Sequence, residues 1–294
     1  MTRMQARMLP DGRRLHLNDG PIDLIIGAEG EPSEVARAFV AAQARFAPVL
    51  DALCAELPLL RQPVGAEPQG MVARRMWCAT LPLAGHGFIT PMAAVAGSVA
   101  EDVLDAMCDA AQLARAFVNN GGDIALHLGE GASYDIGLVD RPDRPSLFST
   151  ARITAGDGVR GIATSGWRGR SFSLGIADAV TVLAARASMA DAAATLIANA
   201  VDLPGHPALT RVPATDLQPD SDLGARLVTR AVGPLAPKEI AAALAAGVAF
   251  ADTLLAEGLI AAAALHLAGK TRTVGETFGR SDAGREGQEI PRLG

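Results

Sequence analysis

The feature of this sequence that most limits its fold is an alternation of two hydrophobic periods along one chain. Short apolar runs at 22–26, 124–128, 134–139, 150–154, 161–166, 171–176, 179–183, 227–232 and 259–267 suit strands. Segments 33–53, 91–117, 188–201 and 237–256 instead place apolar residues three or four apart, which suits helices. Several strand-like runs are neighbours separated by turn residues. The runs 14–17 and 22–26, for example, flank Asn18-Asp19-Gly20-Pro21, where Asp-Gly tolerates the positive φ of a tight hairpin. Neighbouring hairpins mixed with helices predict an α+β fold with mostly antiparallel sheets and packed helices, not a doubly wound parallel sheet. One domain over 1–270 follows. From Thr271 onward Gly, Arg, Glu and Asp dominate, so 271–294 is expected to be a flexible tail.

Local signals refine the helices. Ser33 suits the cap of the first, and Pro48 divides it. Residues 62–70 are a loop. Thr90 and Pro91 suit the cap and first position of the next helix. Its first half, with Ala93, Ala94, Ala96, Gly97 and Ser98, is small enough for close packing or for a ligand to approach. Glu101 and Asp102 are then expected in solvent. Residues 203–222 hold four prolines and read as an irregular connection.

A net charge of −6 argues against a nucleic-acid partner, because coating phosphates needs a concentrated basic surface. The longest apolar region, 240–269, is interrupted by Asp252 and Glu257, so no membrane span is expected. With no secretory signal, the chain reads as cytoplasmic. Cys54, Cys78 and Cys108 form no CxxC pair and are expected as small buried hydrophobes. The five histidines show no metal spacing. His86, just ahead of Phe88, is the one candidate base among them.

Three stretches can carry chemistry. Asn119-Asn120-Gly121-Gly122-Asp123 either turns backbone N–H groups into an anion-holding concavity or is a turn that needs positive φ. Thr164-Ser165-Gly166-Trp167-Arg168-Gly169-Arg170 offers two guanidinium groups that grip phosphate oxygens, or else a solvated surface loop. Asp191 and Thr195 stand at i and i+4 on one helix face, where two oxygens can serve Mg²⁺ or arise by chance.

In order along the chain, Asn119–Ile124, Ala163–Gly166, Val180-Thr181-Val182 and Ala190–Thr195 resemble the motifs of the ApbE superfamily, the FAD:protein FMN transferases. The resemblance covers roughly 88–201 and is nearest to a short, uncharacterised branch. It implies the ApbE-like α+β fold, Mg²⁺ on Asp191 and Thr195, and an FAD site lined by Asn120, Gly121, Gly122, Thr164, Ser165 and Gly166. It also implies an acceptor protein and a homodimer. Read from their own chemistry, Asp123, Arg168 and Arg170 are the catalytic candidates. The histidine and Asp-Pro-x-Thr-Gly segment of typical members are missing after Gly166. Two alternatives therefore stand beside FMN transfer: a non-catalytic ligand-binding protein of the same fold, or an enzyme of pterin-linked one-carbon cofactor metabolism.

Overall fold

The computed structural model describes residues 3–139 and 147–276. The chain opens with strands β1 (Gln5–Met8), β2 (Arg14–Asp19) and β3 (Ile22–Glu29). Helices α1 (Pro32–Phe46), α2 (Val49–Leu60) and α3 (Met71–Thr80) follow. A 3-10 turn at Pro91–Ala94 leads into α4 (Val95–Ala110). Next come β4 (Arg115–Asn120), β5 (Asp123–Leu128), β6 (Ser133–Val139), β7 (Leu147–Thr154), β8 (Gly161–Ser165) and β9 (Ala179–Ala184). The order closes with α5 (Ala187–Ala200), β10 (Leu209–Pro213), the one-turn α6 (Ala214–Leu217), β11 (Leu227–Val232), α7 (Pro237–Ala256), β12 (Ala262–Leu267) and β13 (Lys270–Val274).

Nine strands form one sheet in the order β1-β2-β3-β4-β5-β8-β9-β12-β13, and every neighbouring pair is antiparallel. β6 pairs with β7 and β10 with β11 as separate two-stranded sheets. This is the α+β architecture expected from the two periods.

A period of two sends alternate residues to opposite faces of a sheet. Ala163, Val182 and Leu265 join the large core on the helical face, with Phe46, Leu60, Met76 and Met107. Ile162, Leu183 and Ala264 join a second cluster with Leu126, Leu128, Ala151 and Ile153, roofed by the β6–β7 hairpin. Covered on both sides, β9 and β12 are buried at every position. That is why they read as unbroken apolar runs.

Several expectations are corrected. The helix expected over 91–117 ends at Ala110, and Arg115–Asn120 pairs with both β3 and β5 as β4. Ladder bonds on two sides outweigh the helical look of the preceding alanines. Glu31, not Ser33, caps α1: its carboxylate accepts the Ser33 N–H at 2.7 Å, and Pro32 takes the first helical position. α1 and α2 do separate at Pro48. Residues 171–176 form no strand, because their backbone groups go elsewhere. The Leu174 N–H donates to the Asn199 side chain, the Ile176 N–H to the Val201 carbonyl, and the Ser173 carbonyl accepts from Thr229. The connection at 203–222 contains β10 and α6.

Glu101 and Asp102 are buried, 8% and 2% exposed. Asp102 accepts from Arg45 at 2.8 Å and lies 3.5 Å from Arg75, while Glu101 meets Arg186 at 3.0 Å. Cys54 and Cys78 are exposed; only Cys108 is partly buried, and burial pushes its thiol up to about 11. Of the expected tail, Thr271–Val274 lies in β13, and 277–294 falls outside the described residues, as does the turn expected at 141–144. Two helical stretches, Pro32–Leu60 and Pro237–Ala256, are long and apolar enough by composition to cross a membrane. The first is divided at Pro48, and the second buries Ile240, Ala243, Leu244, Gly247, Ala251 and Leu254 within the fold.

Candidate functional site

A cavity of about 560 Å³ opens where β4 and β8 end and β5 and β9 begin. Its wall includes Asn119, Asn120, Gly121, Gly122, Asp123, Thr164, Ser165, Gly166, Arg170, Asp191 and Thr195. The three separate stretches therefore meet in space. Arg168 is not on this wall, and neither is His86, which lies near the surface beside Glu257 at 3.0 Å.

The glycine pair is a two-residue turn between Asn120 and Asp123, with φ of +66° at Gly121 and +116° at Gly122. The Gly122 N–H donates to Asn119 Oδ1 at 2.8 Å, a side chain copying a backbone turn. The stretch is the turn that needs positive φ, and it also walls the cavity. Asn120 is buried and donates to the Ala96 carbonyl at 3.2 Å, tying the turn to the start of α4.

β5 pairs with β8 only through Ile124 and Ala125, so the Thr164 N–H lies beyond the last ladder bond. It donates instead to Asp123 Oδ1 at 3.2 Å. On its other side Thr164 stands opposite Thr181, and their hydroxyl oxygens are 2.9 Å apart. Thr181 lines the cavity too and was missed as a site residue. Its signal was a hydroxyl at the centre of an otherwise apolar strand.

Asp191 projects from α5 to the first turn of α4, where Oδ2 accepts the Gly97 N–H at 2.9 Å and the Ala96 N–H also contributes. The residue at the N-cap of α4, Ala94, has no side-chain acceptor, so Asp191 supplies one from another helix. A side-chain oxygen reaches those amides only because α5 comes this close, and small residues make the approach. A Cβ on Gly97 would sit 2.3 Å from the Ala187 carbonyl oxygen.

Electrostatics single out Asp123 and Asp191. Loss of hydration raises Asp123 to about 7, against a backbone bond from Thr164 and the charge of Arg170. Asp191 is raised well above the carboxylate range, first by desolvation and then by Asp123, despite the α4 amides. Both residues keep some surface on the cavity side, so water and ions can reach them. Burial raises both carboxylates, and two like charges in one cavity disfavour full ionisation of the pair. Among the described residues no three His, Cys, Asp or Glu side chains cluster as metal ligands. A cation here would need hydroxyl, water and ligand oxygens beside the carboxylates, and Thr195 is one turn from Asp191.

Arg170 is exposed, and its Nη2 lies 1.8 Å from where a Cβ on Gly121 would stand, so the guanidinium rests on the glycine turn. It is the cation among the cavity's lining residues. Arg168 instead donates to Asp178 Oδ1 at 2.6 Å and stacks on Trp167.

The fold is thus an α+β protein whose antiparallel sheet, backed by helices, gathers acidic and hydroxyl groups at one cavity. A family model described as "AbpE bacteria" matches residues 6–273, and the chain belongs to that ApbE-like family. Curated relatives carry the name UPF0280 protein. The one from Methanopyrus kandleri is 43% identical over 38% of this chain and 43% of its own length. That from Methanosphaerula palustris is 38% identical over 40% and 49%, and that from Archaeoglobus fulgidus 39% over 45% and 51%. The chain spans about half the length of these relatives. Among solved structures, the apo flavinyl transferase ApbE of Pseudomonas stutzeri covers 92% of this chain and 93% of its own. Its TM-score is 0.46 and its identity 12%, too low to carry an argument about function.

Proposed function

We propose that this protein binds a flavin nucleotide with Mg²⁺ at the Asp123–Asp191 cavity and acts as an FMN transferase-like enzyme. The observation that carries this reading is the carboxylate pair. Two acids line one cavity, both pushed above their ordinary range, with one repelling the other. A hard divalent cation relieves that repulsion, and the oxygens of Asp191 and Thr195 fit it chemically. Bound Mg²⁺ supplies charge neutralisation at phosphate oxygens. Arg170, resting on Gly121, holds a phosphate from the other side. Asp123 takes the proton of an acceptor hydroxyl as its oxygen attacks the FMN phosphorus of FAD, and AMP leaves. An acid raised to about 7 suits that task near neutral pH.

Incubation with FAD, Mg²⁺ and candidate acceptor proteins tests the reading through AMP release. Asp191→Asn keeps an acceptor for the α4 amides while removing the charge. It is expected to abolish Mg²⁺-dependent FAD binding and leave the fold intact. Equal FAD binding with and without Mg²⁺ in the unsubstituted protein would sink the metal assignment.

A second reading is a ligand-binding protein without turnover. It is favoured by Arg168, which is committed to Asp178 and leaves Arg170 as the cation on the wall. Tight FAD binding with no AMP released selects it.

A further inference from the structure

The segment that brings Arg170 to the cavity, 166–169, belongs to no helix or strand. Its own backbone closes once, from the Gly169 N–H to the Gly166 carbonyl at 3.0 Å. Among the described residues, two on the approach to β9 support it further. The Trp167 N–H donates to the Ala177 carbonyl at 3.0 Å. Trp167 Nε1 and Arg168 Nε both donate to Asp178 Oδ1, at 3.2 and 2.6 Å. The Arg168 guanidinium lies 4.3 Å from the centre of the Trp167 ring, so carboxylate, cation and ring form one stack. Gly166, at φ +155°, presses on the same support: a Cβ there would stand 2.6 Å from the Asp178 carbonyl oxygen.

Asp178 also faces away from the loop. Oδ2 accepts the Ala268 N–H at 2.7 Å, and its own N–H donates to the His266 carbonyl at 2.9 Å. Ala268 carries the one positive φ, +47°, found at a non-glycine among the described residues. A single carboxylate, 5% exposed, thus joins the cavity loop to the turn between β12 and β13. Charge-assisted bonds of this kind hold their partners more firmly than neutral ones. Asp178 does not line the cavity.

We propose that Asp178 is a positioning residue, which acts on the ligand by fixing where Arg170 meets it. The proposal rests on the reading that the cavity takes a phosphate-bearing ligand. Asp178→Asn keeps the volume but turns one acceptor into a donor facing either Arg168 or the Ala268 N–H. The test is a double-mutant cycle on the full chain, with FAD and Mg²⁺ measured by calorimetry for Asp178→Asn, Arg170→Gln and the pair. Each single change is expected to weaken FAD binding about tenfold, and the pair no more than the weaker single, because both remove one interaction. Losses that multiply in the double variant overturn the proposal. If Asp178→Asn does not fold, Arg168→Gln takes its place in the same cycle with the same two outcomes.

A second measurement is independent of the ligand. Trp77 and Trp167 are the two tryptophans, so Trp77→Phe isolates the loop's emission. Asp178→Asn in that background is expected to shift Trp167 emission to the red and expose it to acrylamide quenching, with unchanged circular dichroism. Unmoved emission refutes the anchoring. Should the unsubstituted protein bind no FAD while this shift appears, the functional reading fails and only the anchoring of the loop by Asp178 stands.

Discussion

Helix α4 is packed in two opposite ways, and the site lies on only one of them. Towards α5 the contact sets Gly97 against the backbone of Ala187 and Ser188, so backbones nearly touch and Asp191 reaches the amides of another helix. Towards α1 and α3 it is bridged by long side chains, Asp102 being held between Arg45 and Arg75, beside a core that also holds Phe46, Met76 and Met107. Large flexible groups repack when one is altered, whereas backbone against backbone has nowhere to go. The carboxylate of the candidate site is therefore placed where the packing is least forgiving.

The sharpest way to break this contrast is Gly97→Val, whose Cβ would collide with the Ala187 carbonyl. We expect a loss of about 3 kcal/mol or more in urea unfolding, together with loss of FAD binding. A cost below about 1 kcal/mol would show that the α4–α5 contact is as adaptable as the other. Phe46→Leu, on the adaptable side, is expected to cost about 1.5 kcal/mol and leave FAD affinity unchanged.

A smaller effect comes from pH. Burial raises Asp123 from 3.8 to about 7 and raises Asp191 as well, so the folded chain binds more protons than the unfolded one across that interval. Stability is therefore present at the acid end and declines as pH rises from about 4 through about 7. Thermal unfolding across that window checks the slope, and saturating Mg²⁺ should flatten it. Smallest is Asp191→Asn without ligand. Losing one repelling charge offsets a weakened helix cap, so stability near pH 8 should change by less than about 1 kcal/mol.

The same contrast explains what could be read from the sequence. The β2–β3 hairpin, α5, α7 and the glycine turn were legible because each rests on local period or turn chemistry. β4 was not, because an alanine-rich helix runs up to it without a Gly or Pro stop, and only pairing with β3 and β5 makes Arg115–Asn120 a strand. The burial of Asp102 was hidden because Arg45 and Arg75 arrive from two other helices. At the site, the ordered motifs brought out the wall of the cavity. They could not show that Arg168 turns to Asp178, since that carboxylate lies ten residues away across an irregular stretch.

Asp191 and Gly97 meet across 94 residues of chain, which gives the cavity a history as well as a shape. During synthesis a chain grown only to residue 170 already holds the glycine turn and Arg170, yet it lacks both Asp191 and Thr195. The loop that joins them must be closed against its entropy before the α4 amides have their carboxylate. A nucleotide that needs the whole wall can thus stabilise only a chain that has passed residue 195 and folded back on itself, so ligand rescue of a weakened variant would act on the finished molecule and not on its nascent forms.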